Sequence, residues 1–403
     1  MKLRCVDCGH VMPADARYAC NACQGILEVV APVGISTEGD CYLAETMWRH
    51  AARLSVSDRT AIVSLGEGNT PLHRGERLEQ TLPGFTGQIW LKDETANPTG
   101  SFKDRLISAA VSWAKQHDYA GIVCASSGNA GASTSAYAAR AGVKAIVVVP
   151  AHTPEEKLTQ IAAYGAQLVK VDGHYSYAYD VAVRLARDQG LINVTTTFLN
   201  PYGVDALKLV GEELAVQLGG VVPDYVTVPT GAGPLVKGII QGFAEHGSGK
   251  APKLVAVQAA GCAPIVRAFD EGAERVTAWD EPNTIASGIS DPLIGYERDG
   301  SYTLRLLRET GGLAVAVSDD DLRDAMSTLA HRMGLLAEPT GASSFAAVRA
   351  LLATGRIPSN ATIVCMVTGH GYKDMKIYRD MPNRVRQLGS VPQDAELAEL
   401  LAE

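Results

Sequence analysis

The sequence is poor in aromatic residues and carries no surplus of basic ones. Phe, Trp and Tyr make up 6% of its 403 residues, and 36 Lys and Arg stand against 44 Asp and Glu, giving a formal net charge of −8. Because no basic stripe is present, we expect no nucleic-acid partner and no anionic membrane as partner. The longest apolar runs, such as residues 145–150, are strand-length and too short to span a bilayer. The opening residues, MKLRCVDCGH, lack a signal-peptide pattern, so we predict a cytoplasmic protein.

Cysteines are sparse along most of the chain but dense at its start. Two Cys-x-x-Cys pairs lie within the first 23 residues, namely Cys5 with Cys8 and Cys20 with Cys23. In a reducing compartment this spacing predicts a tetrahedral zinc site in a ribbon that spans residues 1–30. Four thiolate ligands leave no open coordination position, so this metal would be structural rather than catalytic. A redox pair, a chance arrangement and iron in place of zinc are the alternatives.

From about residue 105 to residue 260, apolar strand-like segments alternate with amphipathic helix-like ones, and glycines mark the short joints. A similar unit closes the chain. This alternation predicts an α/β protein with mostly parallel sheets, arranged as two three-layer αβα domains beside the N-terminal zinc ribbon. We expect a large domain from residues 31–108 and 195–390, a small α/β domain from residues 109–194, and an acidic C-terminal tail from residues 391–403.

Three glycine-containing loops follow strand-like segments of this pattern and lead into helices. In residues 125–133, small hydroxyl and amide side chains adjoin a helix start, a setting that suits a bound carboxylate. In residues 228–238, two glycines let backbone N–H groups converge on a phosphate. In residues 367–374, Thr368 is the first residue after the strand. Plain helix–strand packing would explain any one loop, and the second loop lacks the features of a dinucleotide-binding or Walker sequence.

Residues 97–105, NPTGSFKDR, place Lys103 behind a turn and at the start of a helix. A lysine held among apolar groups loses its proton, and the neutral amine is the form that attacks an aldehyde. A lysine, a phosphate loop, a carboxylate loop and a hydroxyl at a strand end are together the parts needed to hold an aldehyde cofactor and an amino acid. The alternative is a solvated lysine at a helix start.

The sequence resembles the threonine synthase branch of the pyridoxal 5′-phosphate enzymes that share the tryptophan synthase β-chain fold. Its N-terminus is also similar to the zinc ribbon of some threonine synthase relatives. The resemblance implies a lyase or synthase that uses pyridoxal phosphate, a small amino-acid substrate and a homodimer. The matching stretches run in family order over nearly all of residues 60–380: GEGNTPL (66–72), LKDETANPTGSFKDR (91–105), ASSGNAGASTSAYAARAG (125–142), VPTGAGPL (228–235), EPTGASS (338–344) and TGHGYKD (368–374).

The resemblance also implies a role for individual loop residues. Lys103 would bond the cofactor aldehyde covalently, and the Ser-Phe step that ends in Phe102 would fix the angle of that bond. Asn129 would hydrogen-bond the 3′ oxygen of the cofactor, and Thr368 would face its pyridine nitrogen. A hydroxyl in place of an acid leaves that nitrogen largely unprotonated, which favours elimination and replacement over transamination. The remaining implied ligands are Thr230, Gly231, Ala232 and Gly233 for the cofactor phosphate, and Ser126, Ser127 and Ala130 for the substrate carboxylate.

Two positions depart from the pattern of threonine synthases, which also bind the phosphate of O-phosphohomoserine. The family's Arg after an Asn-Pro pair is Gly203 here, and the Gly-Asn that ends the glycine loop is Pro234-Leu235. Without these two donors, a bound phosphate would lose two charge-assisted hydrogen bonds, each of which contributes about 1.5–3 kcal/mol. Lys208 or Arg105 would have to compensate, although both residue types more often form structural ion pairs.

Three functional hypotheses remain open at this point. The family default converts O-phosphohomoserine to threonine with the phosphate bound in another way. The second is a β-eliminating dehydratase or ammonia-lyase, or a β-replacing synthase, that acts on a non-phosphorylated amino acid. The third is a non-catalytic binding protein that keeps the fold as a scaffold. Among the other residues, we predict that His370, Tyr372 and Lys373 order their loop, and that Glu338 lies near the cofactor ring or has a structural role.

Overall fold

The protein, a computed structural model, contains three β-sheets and fourteen α-helices among the residues that the structure describes, which are 1–30, 41–173, 175–248, 250–381 and 390. The predicted acidic tail lies outside the described residues, as do residues 31–40 and 382–389 of the predicted large domain. The strands are β1 (Lys2–Cys5), β2 (Val11–Pro13), β3 (Leu27–Val29), β4 (Leu72–Arg74), β5 (Gln88–Asp93), β6 (Gly121–Ala125), β7 (Lys144–Pro150), β8 (Gln167–Val171), β9 (Ile192–Asn193), β10 (Tyr225–Pro229), β11 (Lys253–Ala259), β12 (Leu313–Val317) and β13 (Thr362–Val367).

The helices begin and end at signals that are local in the sequence. Ser318 caps α12 through a capping box with Asp321, and Gly334 ends that helix in the left-handed conformation with a φ of 67°. Proline occupies the first turn of α7, α9 and α13. The helices are α1 (Cys41–Ala44), α2 (Glu76–Glu79), α3 (Lys103–Gln116), α4 (Asn129–Ala141), α5 (Glu155–Ala163), α6 (Tyr175–Gln189), α7 (Pro201–Ala206), α8 (Lys208–Gln217), α9 (Pro234–Phe243), α10 (Pro264–Asp270), α11 (Glu297–Glu309), α12 (Asp319–Met333), α13 (Pro339–Ala353) and α14 (Met375–Arg379).

The largest sheet has six strands in the order β12-β11-β10-β13-β5-β4, and every pair is parallel except β4 with β5. Alternate residues of β13 face opposite cores, as the two-residue period of a strand requires. Val364 and Met366 belong to the core that contains side chains of α9, whereas Ile363, Cys365 and Val367 belong to the core that contains side chains of α12 and α13. Helices therefore cover both faces of this sheet.

The second sheet has four parallel strands in the order β8-β7-β6-β9. Ile146 and Val148 of β7 pack in a core with side chains of α6, while Val147 and Val149 pack with side chains of α4 and α5. This sheet is also a three-layer unit. The predicted α/β fold with mostly parallel sheets is thus confirmed.

The N-terminal strands β1, β2 and β3 form a small antiparallel sheet in the order β2-β1-β3. It is joined to the rest of the molecule by side chains such as Tyr202, whose hydroxyl donates to the carbonyl of Asp15 at 2.6 Å. Within the described ranges, no helix is both long and apolar enough to cross a membrane.

Three neighbouring strands of the large sheet end at the same edge of that sheet. Parallel β10, β13 and β5 lie side by side, so the loops that follow them meet at their carboxyl ends. The loop after β6 of the small sheet completes the ring. Topology therefore gathers the predicted functional loops in one place.

Candidate functional site

A cleft of about 1310 Å³ opens where these four loops meet. A cavity of this size accommodates a cofactor and a small substrate together. Thr230 lies beneath the cleft rather than in its wall, since it is buried and its hydroxyl donates to the carbonyl of Val228 at 2.7 Å. The other predicted cofactor and substrate ligands all line the cleft: Phe102, Lys103, Ser126, Ser127, Asn129, Ala130, Gly231, Ala232, Gly233 and Thr368.

Lys103 is the first residue of α3, and its side chain is held inside the cleft. Its Nζ donates to the hydroxyl of Thr196 at 2.8 Å and lies 4.6 Å from the centre of the Phe102 ring. Desolvation lowers the pKa of Lys103 to about 8, although the nearby carboxyl groups of Asp291 and Glu338 partly oppose this shift. A fraction of this amine is therefore neutral near physiological pH, as a nucleophile toward an aldehyde must be.

The loop before Lys103 is fixed by the buried carboxyl group of Asp104. This group accepts hydrogen bonds from the backbone N–H and the hydroxyl of Thr99, both at 2.6 Å, and from the hydroxyl of Ser133 at 2.6 Å. Burial raises the pKa of Asp104 to about 6. Because Ser133 belongs to α4, Asp104 also ties the lysine loop to the helix that carries Asn129.

The start of α4 offers unpaired backbone donors to the cleft. Within the described part of the chain, the N–H groups of Ser127, Asn129 and Ala130 donate to no protein acceptor, while the N–H of Gly128 reaches the hydroxyl of Ser126 at 3.2 Å. The first N–H groups of a helix attract anions. This geometry suits the predicted binding of a carboxylate here.

The amide group of Asn129 is held from both ends. Its Nδ2 donates to Oε1 of Glu338 at 2.7 Å, and its Oδ1 accepts from Nζ of Lys373 at 2.6 Å. Burial raises the pKa of Glu338 to about 7 and lowers that of Lys373. These two contacts fix the orientation of the amide group.

The loop around His370 is ordered partly as predicted. His370 Nδ1 accepts from the backbone N–H of Tyr372 at 3.1 Å, which stabilises the turn. Lys373 does more than order the loop, because it reaches into the cleft and bonds Asn129. No motif spacing marks that contact in the sequence.

The glycine loop after β10 forms an open cradle of backbone amides. Gly233 has a φ of 111°, and a Cβ atom at this position would lie 1.9 Å from the hydroxyl oxygen of Thr303, so only glycine fits here. The N–H groups of Gly231, Ala232 and Gly233 donate to no acceptor among the described residues. Three free donors at the start of α9 fit a phosphate group.

Thr368 lies at the carboxyl end of β13, with its carbonyl bonded to the N–H of Phe102 at 3.1 Å. Its hydroxyl is buried and has no hydrogen-bond partner among the described residues. An unpaired buried hydroxyl facing a cleft is costly unless a ligand satisfies it. The lysine, the amide cradle and this hydroxyl together fit the group that the resemblance implies.

Neither predicted substitute for the missing phosphate donors faces the cleft. The guanidinium group of Arg105 is buried in ion pairs with Glu94 and Glu213, each at 2.7 Å. Lys208 is buried and pairs with Asp205 at 3.0 Å. The suggestion that these cations compensate is therefore wrong, because both are already neutralised by internal carboxylates.

Neither of the two positions that depart from the family pattern offers a phosphate donor. Position 203 has no room for a side chain, and position 235 carries a buried apolar one. A Cβ atom on Gly203 would lie 2.8 Å from a side-chain carbon of Leu106 and 2.9 Å from its carbonyl oxygen, so α7 packs directly on α3 here. Leu235 is buried and, with Leu106 and Leu207, forms an apolar part of the cleft wall. No arginine side chain could occupy position 203 without moving these elements.

The four N-terminal cysteines lie together outside the cleft. Their Sγ atoms are all within 4.8 Å of one another, with Cys5 to Cys23 at 3.5 Å and Cys8 to Cys20 at 3.7 Å. Four sulfurs at about 2.3 Å from a central ion would be spaced by about 3.8 Å. The four cysteines that the sequence spacing paired therefore lie together, at distances that suit a shared tetrahedral ion.

Comparison with known proteins places this chain in a family. The family described as "Pyridoxal-phosphate dependent enzyme" matches residues 63–369. The chain belongs to this family. It is 37% identical to the threonine synthase of Methanocaldococcus jannaschii and 32% identical to that of Methanosarcina acetivorans, with 93% and 94%, respectively, of each chain covered. The maize serine racemase structure has a similar fold, with a TM-score of 0.68 at 21% identity over 78% of this chain and 92% of that one.

The chain is thus a pyridoxal-phosphate dependent, threonine-synthase-like lyase of amino-acid metabolism. The predicted family and cofactor class are confirmed. The roles of individual site residues remain predictions. Sequence reasoning missed Thr196 and Asp291, because neither belongs to a motif and each lies in a loop remote from Lys103 along the chain.

Proposed function

We propose that this protein catalyses elimination or replacement at the β or γ carbon of a small amino acid. The observation that carries the proposal is the position of Lys103, whose pKa is lowered by burial, in a cleft that is also lined by two sets of backbone amides without acceptors among the described residues. When bound, pyridoxal phosphate supplies an electron-withdrawing ring that makes the α-proton of an amino acid acidic. Lys103 would hold that cofactor and then carry the proton, while Thr196 orients its Nζ.

The remaining site residues bind and orient rather than react. The N–H groups of Gly231, Ala232 and Gly233 would hold the cofactor phosphate, and those of Ser127 and Ala130 would hold the substrate carboxylate. Asn129 and Thr368 would meet the cofactor ring at its oxygen and its nitrogen, the latter with the hydroxyl that has no protein partner in the described ranges. A hydroxyl at the nitrogen favours elimination and replacement over transamination.

The default substrate is O-phosphohomoserine, with threonine as the product, because the two relatives compared above are named threonine synthases. A second candidate is a dehydratase, ammonia-lyase or β-replacing synthase that uses a non-phosphorylated amino acid. One specific observation favours it, since the family's phosphate-binding Arg and Asn correspond to the closed Gly203 and the buried Leu235. Arg105 and Lys208 are engaged elsewhere.

A product screen separates these candidates. The protein loaded with pyridoxal phosphate is incubated with O-phosphohomoserine, serine, threonine and diamino acids, and products are followed by mass spectrometry. Threonine with inorganic phosphate is expected for the default, and a 2-oxo acid with ammonia for a dehydratase or ammonia-lyase. A β-replacing synthase would instead form a β-substituted amino acid, and only when a nucleophile is added. Absence of turnover with every amino acid would refute the proposed activity and favour a non-catalytic scaffold.

We further propose that Cys5, Cys8, Cys20 and Cys23 bind one structural zinc ion in the ribbon of residues 1–30. Support comes from the mutual distances of their Sγ atoms and from the four-thiolate set, which fills a tetrahedral ion completely. The ribbon contacts the rest of the protein at Tyr202, whose hydroxyl donates to the carbonyl of Asp15, and its cysteines do not line the cleft among the described residues.

Replacing Cys8, an exposed ligand, with alanine should abolish stoichiometric zinc and lower the melting temperature by several degrees. The turnover number should stay within about threefold of the unmodified protein, because the cleft is not touched. Metal content by plasma mass spectrometry and thermal unfolding measure these effects. Cys262→Ala, which removes a buried cysteine outside the cluster, should retain the metal. Full zinc content in Cys8→Ala would count against the site.

The division into a large domain (31–108 with 195–390) and a small domain (109–194) is retained as a proposal, supported by the two separate parallel sheets. A homodimer is likewise proposed from the resemblance, and a cytoplasmic location is proposed as a compartment in which the paired cysteine thiols stay reduced. Size-exclusion chromatography with light scattering tests the oligomeric state.

A further inference from the structure

Asp291 is a carboxyl group in the cleft wall that the proposed reaction does not use. It lies in the segment between α10 and α11, on the side of the cleft next to the glycine loop. A Cβ atom on Gly231 would lie 3.3 Å from Oδ2 of Asp291, so the carboxyl group adjoins this loop. It is also close enough to Lys103 for its charge to act on the pKa of that lysine.

One oxygen of Asp291 is held by the protein and the other is free. Oδ1 accepts hydrogen bonds from the Tyr296 hydroxyl at 2.6 Å and from the backbone N–H of Leu293 at 3.1 Å. Among the described residues, nothing donates to Oδ2. The carboxyl group is therefore oriented by its backbone and by Tyr296, which is buried, while its second oxygen stays available to a ligand.

The surroundings of Asp291 contain little positive charge. Lys103, whose charge acts on Asp291, would be committed to the cofactor, and Leu106, Leu207 and Leu235 are apolar residues of the cleft wall. Other cations of the cleft lie on different segments. Lys157 pairs with Asp374 at 3.1 Å, Lys373 bonds Asn129, and the exposed Lys376 and Arg379 belong to α14 at the mouth.

We infer that Asp291 selects the substrate side chain, favouring an amino acid whose β or γ substituent is a hydrogen-bond donor, hydroxyl or ammonium, over one that carries a phosphate. This inference rests on the proposed function, because it assigns a substrate class to the same cleft. A donor substituent satisfies the free oxygen of Asp291. A phosphate dianion would instead be desolvated beside this carboxyl group, while the exposed Lys376 and Arg379 lie on α14 rather than on the segment that carries Asp291.

Binding and turnover of matched amino acids by the loaded protein test this inference. The panel pairs serine with O-phosphoserine, homoserine with O-phosphohomoserine, and adds 2,3-diaminopropionate and 2,4-diaminobutyrate as ammonium counterparts. Dissociation constants come from the change in cofactor absorbance, and kcat/KM from product formation. We expect the hydroxyl or ammonium member to bind at least about tenfold more tightly than the phosphorylated member of the same length.

The variant Asp291→Asn keeps the shape of the side chain and an oxygen that can accept from Tyr296. It should weaken binding of the diamino acids by about tenfold or more, weaken that of the hydroxy amino acids less, and improve that of the phosphorylated ones. Cofactor affinity should not fall, because removal of this charge would only lower the pKa of Lys103 further. Asp280→Asn, which removes the same charge from an exposed position 11 residues away, is the matched control and should alter none of these values.

Tighter binding of the phosphorylated members by the unmodified protein would overturn the inference. Because this comparison uses only the unmodified protein, it does not depend on whether a variant folds. A loss of cofactor affinity in Asp291→Asn would also overturn it, because Asp291 would then be a cofactor ligand. Failure of the proposed function looks different, since the loaded protein would then turn over no amino acid of either kind.

Discussion

Replacement of Lys103 with alanine should lower kcat by at least about 10³-fold with any accepted amino acid. The amine lies in the cleft within hydrogen-bond distance of Thr196, whereas Lys157 and Lys373 of the cleft are held by Asp374 and Asn129. Its loss removes both the covalent attachment of the cofactor and the proton carrier. Borohydride treatment followed by peptide mass spectrometry should label position 103 in the unmodified protein and no residue in the variant.

Lys115→Ala provides the control, because Lys115 is exposed near the far end of the same helix. Its kcat should lie within about twofold of the unmodified value. An equally active Lys103→Ala variant would overturn the assignment of the site.

The same lysine gives a pH dependence with a definite sign. Desolvation lowers the pKa of Lys103 to about 8 from the ordinary 10.5, and only the neutral amine attacks an aldehyde. Cofactor uptake by cofactor-free protein should therefore accelerate as the pH rises, with a midpoint near 8. Stopped-flow absorbance measures this rate, and a midpoint above 10 would indicate a solvated lysine.

The second large effect concerns stability. We expect Arg105→Met to lower the free energy of unfolding by about 3–5 kcal/mol. Arg105 is fully buried and donates two hydrogen bonds to each of Glu94 and Glu213, with Lys92 as a third contact of Glu213 at 2.8 Å. Methionine fills a similar volume but leaves two buried carboxylates with one lysine to neutralise them. Urea denaturation measures the loss.

Arg349→Met is the matched control for this substitution. Arg349 pairs with Asp324 at 3.5 Å, and both side chains are exposed, at 41% and 72%. Surface ion pairs contribute about 0–1 kcal/mol, so the control should unfold nearly as the unmodified protein does. Equal losses in the two variants would mean that the buried network contributes no more than a surface pair.

Much of the catalytic machinery could be predicted from the sequence because it lies in short loops between regular elements. Gly233 and Thr368 lie in loops that follow strands, and Lys103 and Asn129 are the first residues of the helices after such loops. Parallel strands in one sheet bring such positions to a common edge, so loops distant along the chain meet. The paired spacing of the N-terminal cysteines likewise predicted which four thiols come together.

Other functional contacts have no such local signal. Glu338 lies 209 positions from Asn129, and Lys373 lies 244 positions from it, yet both bond the same amide group. Asp291 belongs to an irregular segment, where no periodicity predicts which way a side chain faces. Arg105 and Lys208 were considered as phosphate ligands, but their partners Glu213 and Asp205 hold them inside the protein.

The amino-acid sequence by itself determined the α/β architecture and predicted which loops line the cleft, with Lys103 among them. Regular alternation of apolar segments specifies strands and helices, and each loop motif is complete within a few residues. Only the tertiary structure decided that position 203 is closed by Leu106, that two candidate cations are already paired, and that Asp291 lines the cleft with one oxygen that accepts no hydrogen bond from the described residues. These properties depend on how helices pack against the sheets, and packing joins residues that no local pattern connects.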